Sequence, residues 1–295
     1  MEKVKSFLRK LNCFSSSTSQ DIDVDVDQHA KIRSPTPSPS RETLSSTSIV
    51  LAHGAFHTSW HYQLFTDSIR KHTNIDRVVV PQQTSSGSTP PQDSFHTDVQ
   101  LLHASVASEL SQGRDVLLVC HSYGAIPGCE ALADLPQQQP GITGRVLGIV
   151  FVSAFVAEAG QNLVSSKMAG RASWVRVEGA LSYVNDPIST FYNAVSSPEL
   201  VKEMVDRLIP QASVSFMTTT KHETWKSYPC YYVRCLNDQA MCVEEQNYFI
   251  DRLERFCPGT KVKEIASDHA PFASMPDRLA EMTEEIVMEL RGSTR

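Results

Sequence analysis

Short, nearly continuous apolar runs recur along this chain: SIVLAH, RVVVP, DVLLVC, RVLGIVFVSAF, CYYVRCL and VKEIA. They are rich in β-branched residues and show no polar alternation, which is the pattern of strands buried on both faces. Helix-patterned segments fall between or after most of them, over 60–72, 95–110, 243–256 and 276–290. A strand-helix rhythm of this kind constrains the chain to an α/β fold: a mostly parallel central sheet with helices on both faces. Residues 158–226 break the rhythm. That stretch is too long for an ordinary connection and carries Trp174, Phe191, Tyr192, Phe216 and Trp225, so it reads as a helical cap over the carboxyl edge of the sheet.

At 295 residues and 41% hydrophobic content, the chain can bury one large core. The folded domain is expected over 47–295, with residues 1–46 as a tail. Positions 15–48 are rich in Ser, Thr, Pro and Asp, a composition that buries too little apolar surface to order itself. Ser34, Thr36 and Ser38 each precede proline, as in proline-directed phosphorylation sites and in plain linkers. Within residues 1–14, Val4, Phe7, Leu8 and Leu11 share a helical face beside Lys and Arg, which suits weak contact with a membrane surface, aided by acylation of Cys13. No apolar run is long enough to span a bilayer. The net charge of −6, with no basic block in the body, argues against a nucleic-acid partner. Seven cysteines at irregular spacing indicate neither a disulfide framework nor a zinc site; they read as thiols of a reducing, cytoplasmic compartment.

The chemistry centres on VLLVCHSYGA, residues 117–126. A strand runs into a sharp turn holding Ser122, and a helix follows. Ligands of open parallel sheets bind beyond the carboxyl ends of the strands, where Ser122 lies. A strand-turn-helix corner lifts the hydroxyl toward the mouth and crowds positions two before and two after it, here Cys120 and Gly124. Serine is also a common helix N-cap. Its context favours a nucleophile, since two partners stand in the order Ser…Asp…His. His269 follows the last strand and is the expected general base. Asp238 follows CYYVRCL and is the expected orienting acid. Asp251 falls inside a helix, and Asp268 reads as a solvated loop residue. His121 adjoins the serine but should point elsewhere. After the first strand, HGAF supplies an expected oxyanion hole: the backbone N–H of Ala55, with that of Tyr123 as second donor. His53, His57 and His61 cluster but lack a carboxylate, so no metal is expected there.

Together LAHGAFHTSWHY, VCHSYGA, CLNDQAMCVEEQ and SDHAPFASMPDRLAE resemble the α/β-hydrolase fold. More narrowly they resemble its branch of small esterases related to plant methylesterases and hydroxynitrile lyases, in particular fungal-type members with an HSYG elbow. The likeness runs from about Ser48 to the last helix. It implies a triad of Ser122, Asp238 and His269, oxyanion amides at Ala55 and Tyr123, a helical cap and no cofactor. Lyase members carry Thr in place of the Gly of the HG pair and Lys after the triad His; this chain has Gly54 and Ala270, which favours hydrolysis. The expected activity is a serine hydrolase acting through an acyl-enzyme on a small to medium ester, thioester or lactone, and the fungal-type likeness implies a place in secondary metabolism. A lyase or cyclase using the same residues, and a non-catalytic ligand-binding protein on the same fold, are the alternatives.

Overall fold

The computed structural model describes residues 46–75, 77–135, 143–166 and 174–292. The expectations for residues 1–45, including the amphipathic start and the Ser-Pro sites, lie outside them. Thr47 and Ser48, at the end of the Ser-rich stretch, already belong to the first strand.

Six strands form one parallel sheet in the order β2-β1-β3-β4-β8-β9. They are β1 (Thr47–Ala52), β2 (Arg77–Val79), β3 (Asp115–His121), β4 (Val146–Val152), β8 (Cys230–Cys235) and β9 (Lys261–Ile265). The central strands β1 and β4 are buried along their whole length, as their unbroken apolar sequences require. Parallel neighbours need crossovers, and these supply α1 (Gln63–His72), α2 (Ser94–Ser111), α3 (Ala125–Glu130) and α8 (Val243–Phe256). The last long helix, α9 (Pro276–Gly292), packs against α1. From β1 the chain steps outward to β2, then returns past β1 to β3. This reversal puts a topological switch point between the carboxyl ends of β1 and β3, where open sheets leave a crevice.

Between β4 and β8 the chain builds the cap. Among the described residues four short α-helices lie there: α4 (Leu163–Ser166), α5 (Pro187–Phe191), α6 (Pro198–Asp206) and α7 (Ser213–Met217). The cap is not purely helical. It carries a three-stranded antiparallel sheet of β5 (Val175–Glu178), β6 (Leu181–Val184) and β7 (Gln211–Ala212). The two-residue link Gly179-Ala180 joins β5 to β6, with Gly179 at a positive φ of 62°. Ser86 pairs with Gln211 and so ties the cap sheet to the loop after β2.

Among the described residues no helix is long and apolar enough to cross a membrane. Their six cysteines are free thiols, and all but Cys242 are buried.

Candidate active site

The switch point brings HGAF, at the end of β1, beside the turn that ends β3. Ser122 sits on that turn at φ 52°, in the left-handed region that costs a non-glycine residue energy. Phe56 (φ 68°) and Ser153 (φ 39°), at the ends of β1 and β4, share this feature. Three of the four non-glycine residues with positive φ among those described thus lie along one rim.

The turn is as crowded as its geometry demands. A Cβ on Gly124 would lie 2.3 Å from the Ala52 carbonyl oxygen, so only glycine fits without moving backbone. Cys120 is fully buried, and its bulk is met by a second glycine: a Cβ on Gly128 would come within 2.9 Å of the Cys120 Sγ and 3.2 Å of the Ala52 Cβ. Gly128→Ala is therefore expected to destabilise the protein by about 1–3 kcal/mol through overpacking. Cys120→Ala on top of it is expected to recover most of the loss. Urea unfolding of the two single variants and the double variant checks this, and additive losses would contradict it.

Asp238 and His269 are joined. His269 Nδ1 donates to Asp238 Oδ2 at 2.7 Å, and both residues are buried. With Nδ1 carrying the proton, Nε2 is left as the acceptor. Asp238 follows β8, and the N–H groups of Ala240 and Met241 donate to its other oxygen at 2.7 and 2.8 Å. A further donor is the Ser153 hydroxyl, which bonds Asp238 Oδ2 and lies 3.5 Å from His269 Nδ1. The sequence reading missed Ser153, because a serine at a strand end carries no distinguishing mark. No hydrogen bond joins the Ser122 hydroxyl to His269. Such nucleophile-base contacts commonly tighten only once substrate is bound.

His121 links these parts. Gly54 N–H donates to the Tyr62 hydroxyl at 2.9 Å, Tyr62 donates to His121 Nδ1 at 2.7 Å, and His121 Nε2 donates to the His269 carbonyl at 2.8 Å. The ring beside the nucleophile thus turns away from it and holds the loop that carries His269. A Cβ on Gly54 would lie 2.6 Å from His121 Nδ1 and 3.3 Å from the Ser122 Cβ. Threonine at position 54 is therefore incompatible with this arrangement of His121.

The Ala55 N–H has no acceptor among the described residues, and its direction is fixed by neighbours. His53 Nε2 accepts from Gln83 N–H at 2.9 Å, so Nδ1 carries the proton and donates to the Gly54 carbonyl at 2.9 Å. That carbonyl and the Ala55 N–H belong to one peptide plane and point opposite ways. His57 Nδ1 donates to the Ala55 carbonyl at 2.8 Å, and Tyr192 donates to His57 Nε2 at 3.0 Å. His61 accepts from Thr58 N–H and donates to the Met204 carbonyl, both at 3.0 Å. All three histidines spend both ring nitrogens on protein groups. Burial holds His53 and His61 down at about 4, and drives His57 and His121 well below the ordinary imidazole range.

Asp268 departs from its sequence reading as a solvated loop residue. It is fully buried. Its carboxylate accepts from Ala270 N–H at 3.1 Å, the Ser274 hydroxyl at 2.8 Å and the cap's Ala194 N–H at 2.8 Å. It therefore braces the His269 loop against the cap. Asp251 is exposed on α8, far from any such role. Of the cap aromatics, Phe191 stacks on the His269 ring (5.4 Å between centroids, 26° between planes). Trp174, Tyr192 and Phe216 join it around Phe56 and His57. Trp225 does not. Its indole N–H donates to the Ala157 carbonyl and its ring packs on Phe256. A cavity of about 290 Å³ opens between Phe56 and the cap residues Arg176, Tyr183 and Pro187, and its lining does not include Ser122 or His269.

This architecture matches a family model over residues 49–282, described as the alpha/beta hydrolase family. The chain belongs to that family. It is 27% identical over 201 residues to "Probable hydrolase R7" of Phoma sp., covering 66% of this chain and 80% of that protein. It is 26% identical over 243 residues to the "Alpha/beta hydrolase nvfD" of Aspergillus novofumigatus, covering 80% and 94%. Among solved structures, a methylesterase from Arabidopsis superposes with a TM-score of 0.59 at 18% identity, covering 82% of this chain and 98% of that one. The molecule is thus a hydrolase of the α/β-hydrolase type.

Proposed function

We propose that this protein is a cofactor-independent serine esterase whose nucleophile is Ser122, with His269 as general base and Asp238 as the acid that orients it. The observation that carries the reading is the His269–Asp238 hydrogen bond at 2.7 Å, formed on the rim where Ser122 occupies a strained turn. In this mechanism Ser122 attacks the ester carbonyl while His269 Nε2 takes its proton. The negative charge that develops on the carbonyl oxygen is met by the N–H groups of Ala55 and Tyr123. His269 then returns the proton to the leaving alcohol, and water cleaves the acyl-enzyme by the same route. Each oxyanion donor contributes about 2.7–4 kcal/mol in the transition state. The apolar wall of Phe191, Phe216 and Phe56 suits a small to medium substrate with an apolar acyl or aryl group.

A lyase reading fits less well, because Gly54 has no room for the hydroxyl-bearing residue that it would need. The test is hydrolysis of p-nitrophenyl acetate and butyrate together with fluorophosphonate labelling. Wild-type protein is expected to turn over the esters and to be labelled. An inert, unlabelled wild type overturns the proposal.

Ser153 yields a finer expectation. Its hydroxyl neutralises part of the Asp238 carboxylate and holds it against His269. Ser153→Ala is expected to lower kcat about 10- to 100-fold, the worth of a hydrogen bond to a charged group, with KM nearly unchanged. Steady-state kinetics that instead show a KM effect alone would place Ser153 in binding.

A further inference from the structure

Three segments converge on the side chain of Tyr123, the residue after the proposed nucleophile: the cap, the loop after β2 and α2. Its ring meets Phe216 of the cap edge-on at 5.5 Å, and Phe216 in turn packs on Phe56 of the HGAF loop at 6.0 Å. The Tyr123 hydroxyl is fully buried and has no partner in hydrogen-bond geometry among the described residues. Beside it lies a dense polar knot. Asp98 of α2 accepts from the Thr84 hydroxyl (3.0 Å), from Ser85 N–H (3.1 Å) and from the Ser85 hydroxyl. Gln211 of the cap donates to the hydroxyls of Ser85 (2.7 Å) and Ser215 (2.9 Å).

Asp98, Ser85 and Ser215 are the hydrogen-bonding neighbours of the Tyr123 hydroxyl, the carboxylate raising its pKa and the serines lowering it, although none meets it in full hydrogen-bond geometry. Asp98 is fully buried, and burial raises its carboxyl above the ordinary range. Other orphans lie on the same segments. Gln83 is two residues before Ser85, and neither polar atom of its buried side chain has a partner. Ser94 is one turn before Asp98 on α2, and its buried hydroxyl has none. Leaving a buried polar atom unpaired costs a protein stability. A buried hydroxyl without a well-placed partner, on the residue that follows a nucleophile, is the mark of a place for a ligand's polar atom.

We propose that Tyr123, backed by Asp98, Ser85 and Ser215, forms a polar subsite that takes a hydroxyl carried by the substrate beyond its reacting carbonyl. The ligand class is an oxygenated ester, apolar where it crosses Phe216 and Phe56 and hydroxylated at its far end. This inference rests on the esterase reading.

The test uses matched methyl arylacetates with and without a ring hydroxyl, at the meta and para positions. Wild type is expected to favour one hydroxylated ester over its parent about tenfold in kcat/KM, the worth of one good hydrogen bond. In Tyr123→Phe the preference is expected to collapse to about one, and Asp98→Asn is expected to weaken it. A wild-type ratio at or below one for both isomers, or a ratio that survives Tyr123→Phe in folded protein, overturns the subsite. Calorimetric binding of the corresponding N-methyl amides gives a readout that needs no turnover. Preference for the hydroxylated amide in a protein inert to every ester would sink the esterase reading and keep the subsite. Equal binding in an active esterase would do the reverse.

Discussion

Ser122→Ala is expected to lower kcat about 10⁴- to 10⁶-fold, the range in which removal of the nucleophile leaves only binding and oxyanion stabilisation. The fold is expected to survive. The Ser122 hydroxyl makes no hydrogen bond to any described residue, and alanine fits wherever serine does, so the removed oxygen leaves none of them stranded. Covalent labelling by a fluorophosphonate is expected to vanish with the hydroxyl. His269→Ala is expected to fall nearly as far, and the double variant no further, since residues that act as one unit do not contribute independently. A Ser122→Ala protein that keeps more than about a tenth of wild-type turnover, a residue far above the proportion such enzymes retain, would sink the triad. Retained ester cleavage with lost labelling would point to a water-based mechanism instead.

The rim was legible in the sequence because the physics that places it is local. A strand followed by a helix in a parallel sheet must present its turn at the carboxyl edge, so Ser122, Asp238 and His269 could be assigned to one rim from the order of their elements. The demand for small residues around the corner was likewise visible at Gly124. What sequence could not show were contacts made across long separations. Gly128 as the counterpart of Cys120 depends on how α3 lies against β3. Asp268 looked solvated because its neighbours in sequence are loop residues, yet its cap partner is Ala194, 74 positions away. Ser153 gains its role from Asp238, 85 positions on. The cap sheet was a different kind of miss. VRVEGALSYV alternates around a Gly-containing link, a hairpin signal outweighed in the reading by the helical segments around it.

The protein is expected to lose stability steeply between pH 7 and pH 5, for a reason separate from catalysis. His53, His57, His61 and His121 are buried and spend their ring nitrogens on neutral hydrogen bonds. His53 and His61 are held at about 4, His57 and His121 well below the ordinary value, and burial is the main cause for all four. In the unfolded chain each titrates near 6.5. Between these values the unfolded state binds more protons than the folded one, so stability is full above about pH 6.5 and declines as the pH falls toward the folded values. At pH 5, His53 and His61 together account for about 4 kcal/mol of loss, and His57 and His121 add to it in the same direction. Asp98, raised by burial, works the opposite way but is one group against four. Since a domain of this kind has only about 5–15 kcal/mol in hand, the loss is decisive. Urea titrations at pH 8, 7, 6 and 5 are expected to show the midpoint falling sharply below pH 6.5, and His53→Gln, which keeps a polar group but cannot take the proton, to flatten the slope. A midpoint constant from pH 7.5 to pH 5 would mean that these rings are not the neutral, buried struts their hydrogen bonds describe, and the aim of the Ala55 N–H, which His53 sets, would lose its support.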